Sequence, residues 1–436
     1  MPVNWVAKCI ASSALLMVAA CAEEELILPG EREPLRPDAV EKVVVNRVQP
    51  LDLPAPQRNA DWTHKASSPS HAAPHLALRQ PLSLVWTADI GTGEGKRSRL
   101  SADPVIAEGR VYTMDAEAQV TAFDLAGRTI WTQDLTPPNE RSDEGLGGGL
   151  AYADGMLYVT SGFGRLVALD PATGAQRWDQ RLDTAVSAAP TISDGTAYIA
   201  ARNGTGWAID TTTGRILWQI VAGKTDRGLF GGPSPVIAGD LVVFPFATGQ
   251  MVAADRATGN RRWLASVAGA RDDRVFSQVR DLTGDPVVVG EILIAGSHGG
   301  RTSAFDIDGG APLWTAEEGA MSPVIVAAGS VFLVSDTNRL VRLDLETGEI
   351  IWRVDLPLFT RERASRIKGT YAHFGPVLAG GRLLVLSDDG YIRSFDPASG
   401  ALISAEELPS GAARNPVISN GTLYVVTENG RLNAFR

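Results

Sequence analysis

Residues 168–178 read Ala168-Leu169-Asp170-Pro171-Ala172-Thr173-Gly174-Ala175-Gln176-Arg177-Trp178. The same frame, Ala-x-Asp-x-x-Thr-Gly-x-x-x-Trp, returns at 208–218 and 253–263. Weaker copies centre on Asp124 with Trp131, Asp306 with Trp314, Asp344 with Trp352, and Asp396 with Gly400. A second phrase, Pro-Val-Ile or close to it, precedes each Asp by 20 residues from Pro104, Pro190, Pro235, Pro286 and Pro376, and by 21 from Pro323. Before Asp170 the proline is lost and Ala151 lies near its place; Pro416 opens a last unit, making eight. Within a unit the chain alternates short β-rich runs with turn signals, as in Ser419-Asn420-Gly421 and Glu428-Asn429-Gly430. Asn-Gly between such runs favours a hairpin, because both positions tolerate positive φ. In the longer turn, Asp accepts from amides of its own turn and Gly supplies the left-handed residue. Four antiparallel strands recurring every 38–52 residues are the signature of propeller blades.

The sequence therefore predicts an all-β, eight-bladed β-propeller over 84–436. The last unit stops at Arg436 without a fourth strand, and an orphan copy of that strand, Leu84-Val85-Trp86, precedes the first unit. We expect that strand, 84–86, to complete the final blade and close the ring. Seven of the ten tryptophans, Trp86, Trp131, Trp178, Trp218, Trp263, Trp314 and Trp352, occupy the last position of the repeat, with Ser404 at the eighth. An indole offers a large flat surface and one N–H donor, so these are expected to dock structurally between blades. Their strict register argues against a ladder of sugar-binding platforms.

The amino terminus reads as an address. Lys8 precedes an apolar or small-residue run from Ile10 to Ala20, about 16 Å long as a helix and roughly half a bilayer core. Residues 1–20 fit a signal peptide. Val18-Ala19-Ala20-Cys21 resembles the lipobox of bacterial lipoproteins, which implies diacylation at Cys21 and stable membrane anchoring. An ordinary secretory signal with an incidental cysteine is the alternative. Ala22, where aspartate would signal inner-membrane retention, makes the periplasmic face of the outer membrane the expected location. Residues 21–83, with prolines at 29, 34, 37, 50, 54, 56, 69, 74 and 81, read as an extended tether in which Val43-Val44-Val45 is the only plausible ordered run. Asp61-Trp62 suggests one point of docking.

The chain has 436 residues and a net charge of −10, which gives no general reason to bind nucleic acid or anionic lipid, so any basic patch must be local. Both cysteines, Cys9 and Cys21, precede the body, which can form neither disulfides nor thiolate metal sites. His64, His71 and His75 lie in the tether, where adventitious metal binding is the rival to a structural role, and His298 and His373 form no metal-ligand pair. Gly91-Thr-Gly-Glu-Gly95-Lys96 lacks the spacing and following helix of a phosphate loop and reads as a mobile loop.

The tryptophan phrase resembles the docking repeat of quinoprotein dehydrogenases and their relatives, over 84–436. Eight blades, the lipobox and the proline-rich tether are similar to the BamB family of outer-membrane assembly lipoproteins. That resemblance implies a scaffold without catalysis or cofactor, with a BamA-like barrel-assembly protein as partner and unfolded outer membrane proteins as further candidate clients. A periplasmic pyrroloquinoline-quinone dehydrogenase is the alternative, though it implies a larger chain, a calcium-binding acidic set and a catalytic Asp. A glycan or peptidoglycan binder is a third reading.

Four long connections, 132–149, 219–234, 264–285 and 353–375, link the outer strand of one blade to the inner strand of the next and are expected on one face. By resemblance, Arg227, Leu229 and Phe230 with Arg280 and Asp281 form the partner-binding surface. Thr283 stands where the family has a second acid. Arg361, Arg363, Arg366 and Lys368, beside Leu358-Phe359, form the one basic cluster legible in the sequence, either a solvated loop or a contact for an acidic partner or lipid headgroup.

Overall fold

The computed structural model describes residues 45–223, 232–271, 281–361 and 369–436. It contains eight separate four-stranded antiparallel sheets, the blades of an eight-bladed β-propeller. Blades 1 to 7 are consecutive in sequence, at 105–134, 148–181, 191–221, 236–266, 287–316, 325–355 and 373–407. Blade 8 joins Val417–Ser419, Thr422–Thr427 and Arg431–Phe435 to Leu84–Asp89, which pairs with the last of these. Outside that pairing, Ser83 and Arg436 exchange both backbone hydrogen bonds, at 2.9 and 3.0 Å.

Within a blade the middle strands are buried on both faces, as in Leu241–Pro245, because each blade packs against two neighbours. The outermost strands alternate, as in Thr129–Asp134, because one side meets solvent. Since strand direction alternates, the outer-to-inner connections share one face with the second-to-third-strand turns, here the long-loop face. First-to-second and third-to-fourth-strand turns share the other, the turn face.

The repeat's tryptophans tie each blade to the next. Every one of the seven donates its indole N–H to the carbonyl just after the turn Asp of the following blade. Trp86 reaches Leu125 at 3.1 Å, Trp131 Pro171 at 3.0 Å and Trp178 Thr211 at 2.9 Å. Trp218 reaches Arg256 at 3.1 Å, Trp263 Ile307 at 2.7 Å, Trp314 Leu345 at 2.8 Å and Trp352 Pro397 at 3.2 Å. Each ring also lies flat on the glycine of that turn: a Cβ on Gly214 (φ 71°) would stand 2.8 Å from the Trp178 ring. The motif glycine thus meets two demands, a left-handed backbone and room for an indole.

The segment before the propeller differs from the extended tether that its prolines suggest. Val45 is 81% exposed, whereas Trp62, Leu76, Leu78 and Leu82 join the largest core cluster. Residues 59–76 run around the central channel as a strap and bond to the inner strands. Trp62 and Ile106 exchange backbone bonds of 2.7 and 2.9 Å. The N–H groups of Tyr152, Ile237 and Val288 donate to the carbonyls of Thr63, Pro69 and Ser70, and Leu76 N–H donates to Leu378. Ile192 N–H donates to His64 Nε2 at 3.1 Å, and the Asn59 amide donates to Ile418 O at 2.7 Å. These are the corresponding residue of the innermost strand in seven blades, in most of them the third of the Pro-Val-Ile phrase. Inner strands leave one backbone edge facing the channel, and a proline-rich segment that cannot form its own sheet can still satisfy that edge.

The three strap histidines act the same way. His71 Nδ1 lies 2.8 Å from Pro286 O and His75 Nδ1 2.6 Å from Pro54 O, while Gly381 N–H donates to His75 Nε2 at 2.8 Å. Burial, then the neighbouring His71, lowers the His64 pKa from 6.5 to about 3, and burial also lowers that of His71. Both are neutral hydrogen-bonding groups. The glycine loop at 91–95, expected to be mobile, is pinned: Thr92 N–H donates to Asp115 Oδ2 at 2.8 Å and Glu94 N–H to Glu428 O at 2.7 Å.

Candidate functional site

On the long-loop face the channel opens into a cavity of about 400 Å³. Its rim includes Arg202, Pro245, Leu282, Thr283, Met321, Phe374 and Arg414, with Lys65 reaching it from the strap. Lys65 Nζ lies 2.9 Å from Asp285 Oδ2, whose side chain is fully buried. Ser234 N–H donates to the other oxygen at 2.6 Å. Burial pushes the Asp285 carboxyl up, but the Lys65 ammonium and the Ser234 amide hold it below the usual range. Asp103 similarly takes Arg414 Nε and the Asn415 amide, both at 2.9 Å.

The carboxylates and the amide nearest the channel are therefore committed to protein partners. A divalent cation needs several oxygen donors free at once. Among the described residues no group of three or more His, Cys, Asp or Glu could hold a metal ion. The lining does not fit the calcium-and-quinone arrangement that the dehydrogenase reading requires.

The connection from blade 4 to blade 5 is clamped at both ends. At its start Arg271 Nε meets Asp336 Oδ2 at 2.7 Å, and Arg271 Nη2 meets Glu318 Oε2 at 2.9 Å. Arg353 adds a contact of 3.3 Å to Glu318, which is 1% exposed. Burial raises the Glu318 pKa despite these cations. At its far end Leu282 bridges Ser297, and Thr283 Oγ1 donates to Ala320 O at 2.6 Å. The residue at the place of the second family acid thus fastens blade 5 to blade 6.

The connection from blade 6 to blade 7 begins as a short ribbon. Phe359 pairs with Thr370, and Tyr371 N–H donates to Leu358 O at 2.9 Å. Asn338 Nδ2 holds Tyr371 O at 2.7 Å, and His373 Nε2 lies 2.8 Å from Pro357 O. Leu358 and Phe359 remain 36% and 43% exposed on this stem, next to exposed Arg361.

Of the residues expected at the partner surface, Arg227, Leu229, Phe230 and Arg280 lie outside the described residues, as do Cys21, Arg363, Arg366 and Lys368. Asp281 is described and only 6% exposed, with its carbonyl accepting His298 N–H at 2.9 Å. It fits a residue that positions its segment better than one that touches a partner. Sequence reasoning missed Lys65 and the Arg271–Glu318–Asp336 cluster. Lys65 sits outside the repeat, and the cluster gathers residues from three blades, so no local spacing marks either.

A family model described as outer membrane protein assembly factor BamB matches residues 116–354 and 360–436. The chain is 27% identical over 357 residues to the protein of that name in Burkholderia pseudomallei, covering 81% of this chain and 87% of that one. For Yersinia pestis the figures are 25% over 358 residues, 80% and 88%. Among solved structures, BamB from Moraxella catarrhalis superposes with a TM-score of 0.67 at 20% identity, covering 82% of this chain and all (100%) of that one. Quinohemoprotein alcohol dehydrogenase from Comamonas testosteroni gives 0.65 at 16% identity, covering 87% and 81%. At such identities both likenesses speak to the fold.

Proposed function

The chain belongs to the outer membrane protein assembly factor BamB family, and we propose that it is a non-catalytic lipoprotein scaffold of the β-barrel assembly machinery. In this reading it is anchored through Cys21 on the periplasmic side of the outer membrane. Its long-loop face holds the periplasmic domains of a BamA-like subunit, and unfolded outer membrane proteins are the clients of the same machinery. The observation that carries the reading is the family match over residues 116–354 and 360–436. A ring with the channel strapped from one side and the long connections starting and ending on the other suits a docking platform. The exposed Leu358-Phe359 stem supplies apolar area of the kind that anchors interfaces. The quinoprotein alternative rests on the shared fold alone, and the committed channel carboxylates speak against it.

The test is affinity purification of the full chain from detergent-solubilised membranes. A BamA-like protein should co-purify, and Arg227→Glu or the pair Leu358→Ala and Phe359→Ala should reduce its recovery tenfold or more, as removal of an interface anchor does. Recovery of the propeller without such a partner, together with unchanged levels of outer-membrane barrels in a deletion strain, would reject the proposal.

A further inference from the structure

The turn face carries a concavity that the partner reading does not use. It has a volume of about 600 Å³ and is lined by Pro56, Arg58, Ala77–Arg79, Gly380, Asn420, Gly421 and Arg436. Three arginines thus face one hollow, and no carboxylate side chain lines it. In a protein of net charge −10 that is a local reversal of sign. Arg256 and Arg393 face Asp194 and Asp389. By contrast, Arg58 and Arg79 are exposed and have no hydrogen-bond or ion-pair partner among the described residues. Arg436 spends only Nε, on Thr422 Oγ1 at 2.8 Å, and its main-chain carboxyl oxygen accepts from the Ser83 N–H and hydroxyl at 2.9 and 3.0 Å, which offsets the one acidic group beside the three guanidinium groups. Asn420, in the first turn of blade 8 at φ 50°, adds an exposed amide to the rim.

We propose that this hollow binds the phosphate of an anionic phospholipid headgroup. Guanidinium groups match phosphate oxygens in pairs and shed water more readily than ammonium groups. The hollow is open and far larger than a lone phosphate requires, which favours a headgroup carried on a surface over a free ion. The path of the chain favours the same source. Arg47 N–H donates to Ile351 O at 3.1 Å and Gln49 N–H to Ala398 O at 3.3 Å, beside the outer turns of blades 6 and 7. The first described residues, 45–49, thus lie on the face that bears the arginines. The inference rests on the anchoring part of the proposed function and is independent of the partner assigned to the opposite face.

The test uses the full chain carrying Cys21→Ser, so that acyl chains contribute nothing. Co-sedimentation is measured with vesicles of phosphatidylcholine alone and of phosphatidylcholine mixed with phosphatidylglycerol. The parent should prefer the anionic vesicles, and that preference should fall roughly fivefold for each of Arg58→Gln, Arg79→Gln and Arg436→Gln, about a hundredfold together. Binding to phosphatidylcholine alone should not change. The triple variant should still co-purify with the barrel-assembly partner, which separates failure of this site from failure of the functional reading. An equal preference in parent and triple variant, or no anionic preference in the parent, overturns the proposal. Titration with inorganic phosphate supplies the third arm: arginine-dependent binding of the free ion without preference for anionic vesicles would also overturn it.

Discussion

At the residue scale the fold depends on one repeated contact, an indole lying on the next blade's glycine with its N–H on the next blade's carbonyl. Position 404 shows the rule by exception. Blade 7 has Ser404 there, opposite Ser394, where most other blades place Trp opposite Ala. The following blade, blade 8, has no turn between its third and fourth strands, because those strands come from opposite ends of the domain. With no glycine turn to cover, there is nothing for an indole to dock on. Gly214→Ala should therefore destabilise the protein by about 1–3 kcal/mol, from left-handed backbone strain and overpacking against Trp178. Trp178→Ala should cost about 3–5 kcal/mol. Because both act on one contact, the double variant should cost less than the sum in thermal or denaturant unfolding. This contact was legible in the sequence because Asp, Gly and Trp keep fixed spacing. Which neighbour each indole meets was not, since that depends on the ring.

At the element scale the strap is the part that sequence patterning hid. Its hydrogen bonds go to other elements, so it shows neither strand alternation nor repeat, and the nine prolines of residues 21–83 suggest only extension. Arg342 shows what holds the segment that leads into the strap. It is 1% exposed and reaches Gln49 O at 2.7 Å and Ser330 Oγ at 3.0 Å. Burial, then Arg47, lowers its pKa. Arg342→Met should free residues 45–51 to rapid amide exchange while leaving exchange in blades 2 to 4 unchanged. Acid should loosen the inner part. His64 and His71 have folded pKa values below the ordinary 6.5, so their stabilisation is complete above that pH and is lost as pH falls toward the folded values. For His64 the loss reaches about 2 kcal/mol by about pH 5. A His64→Gln, His71→Gln variant should show a shallower fall in melting temperature between about pH 7 and pH 5 than the parent; equal slopes would rule out these histidines as the cause.

At the scale of the whole molecule, the count of eight and the closure by a strand from before the first blade follow from arithmetic on the repeats, which is why the fold could be read from sequence. The face proposed for a partner could be placed only coarsely. Arg271, Glu318, Asp336 and Arg353 come from the connections, turn and strand of three successive blades with no common local spacing, and Asp281 looks like a surface acid until the ring buries it. Removing Leu84–Asp89 should leave Arg431–Phe435 as an unpaired edge, and the variant should self-associate in size-exclusion chromatography with light scattering. The ring's seam has a further consequence for how the protein comes to exist. Ser83 and Arg436 are 353 positions apart, and the strap bonds blades at both extremes of the chain. The strand Leu84–Asp89, made early, must wait for the final blade before it finds its partner. Assembly is thus forced toward a late, concerted step and a slow rate, because contacts so distant along the chain gain nothing until nearly all are made. A nascent propeller cut short before Pro416 would keep its first strand unpaired and one end of its strap without the Ile418 contact, a species well suited to capture by chaperones.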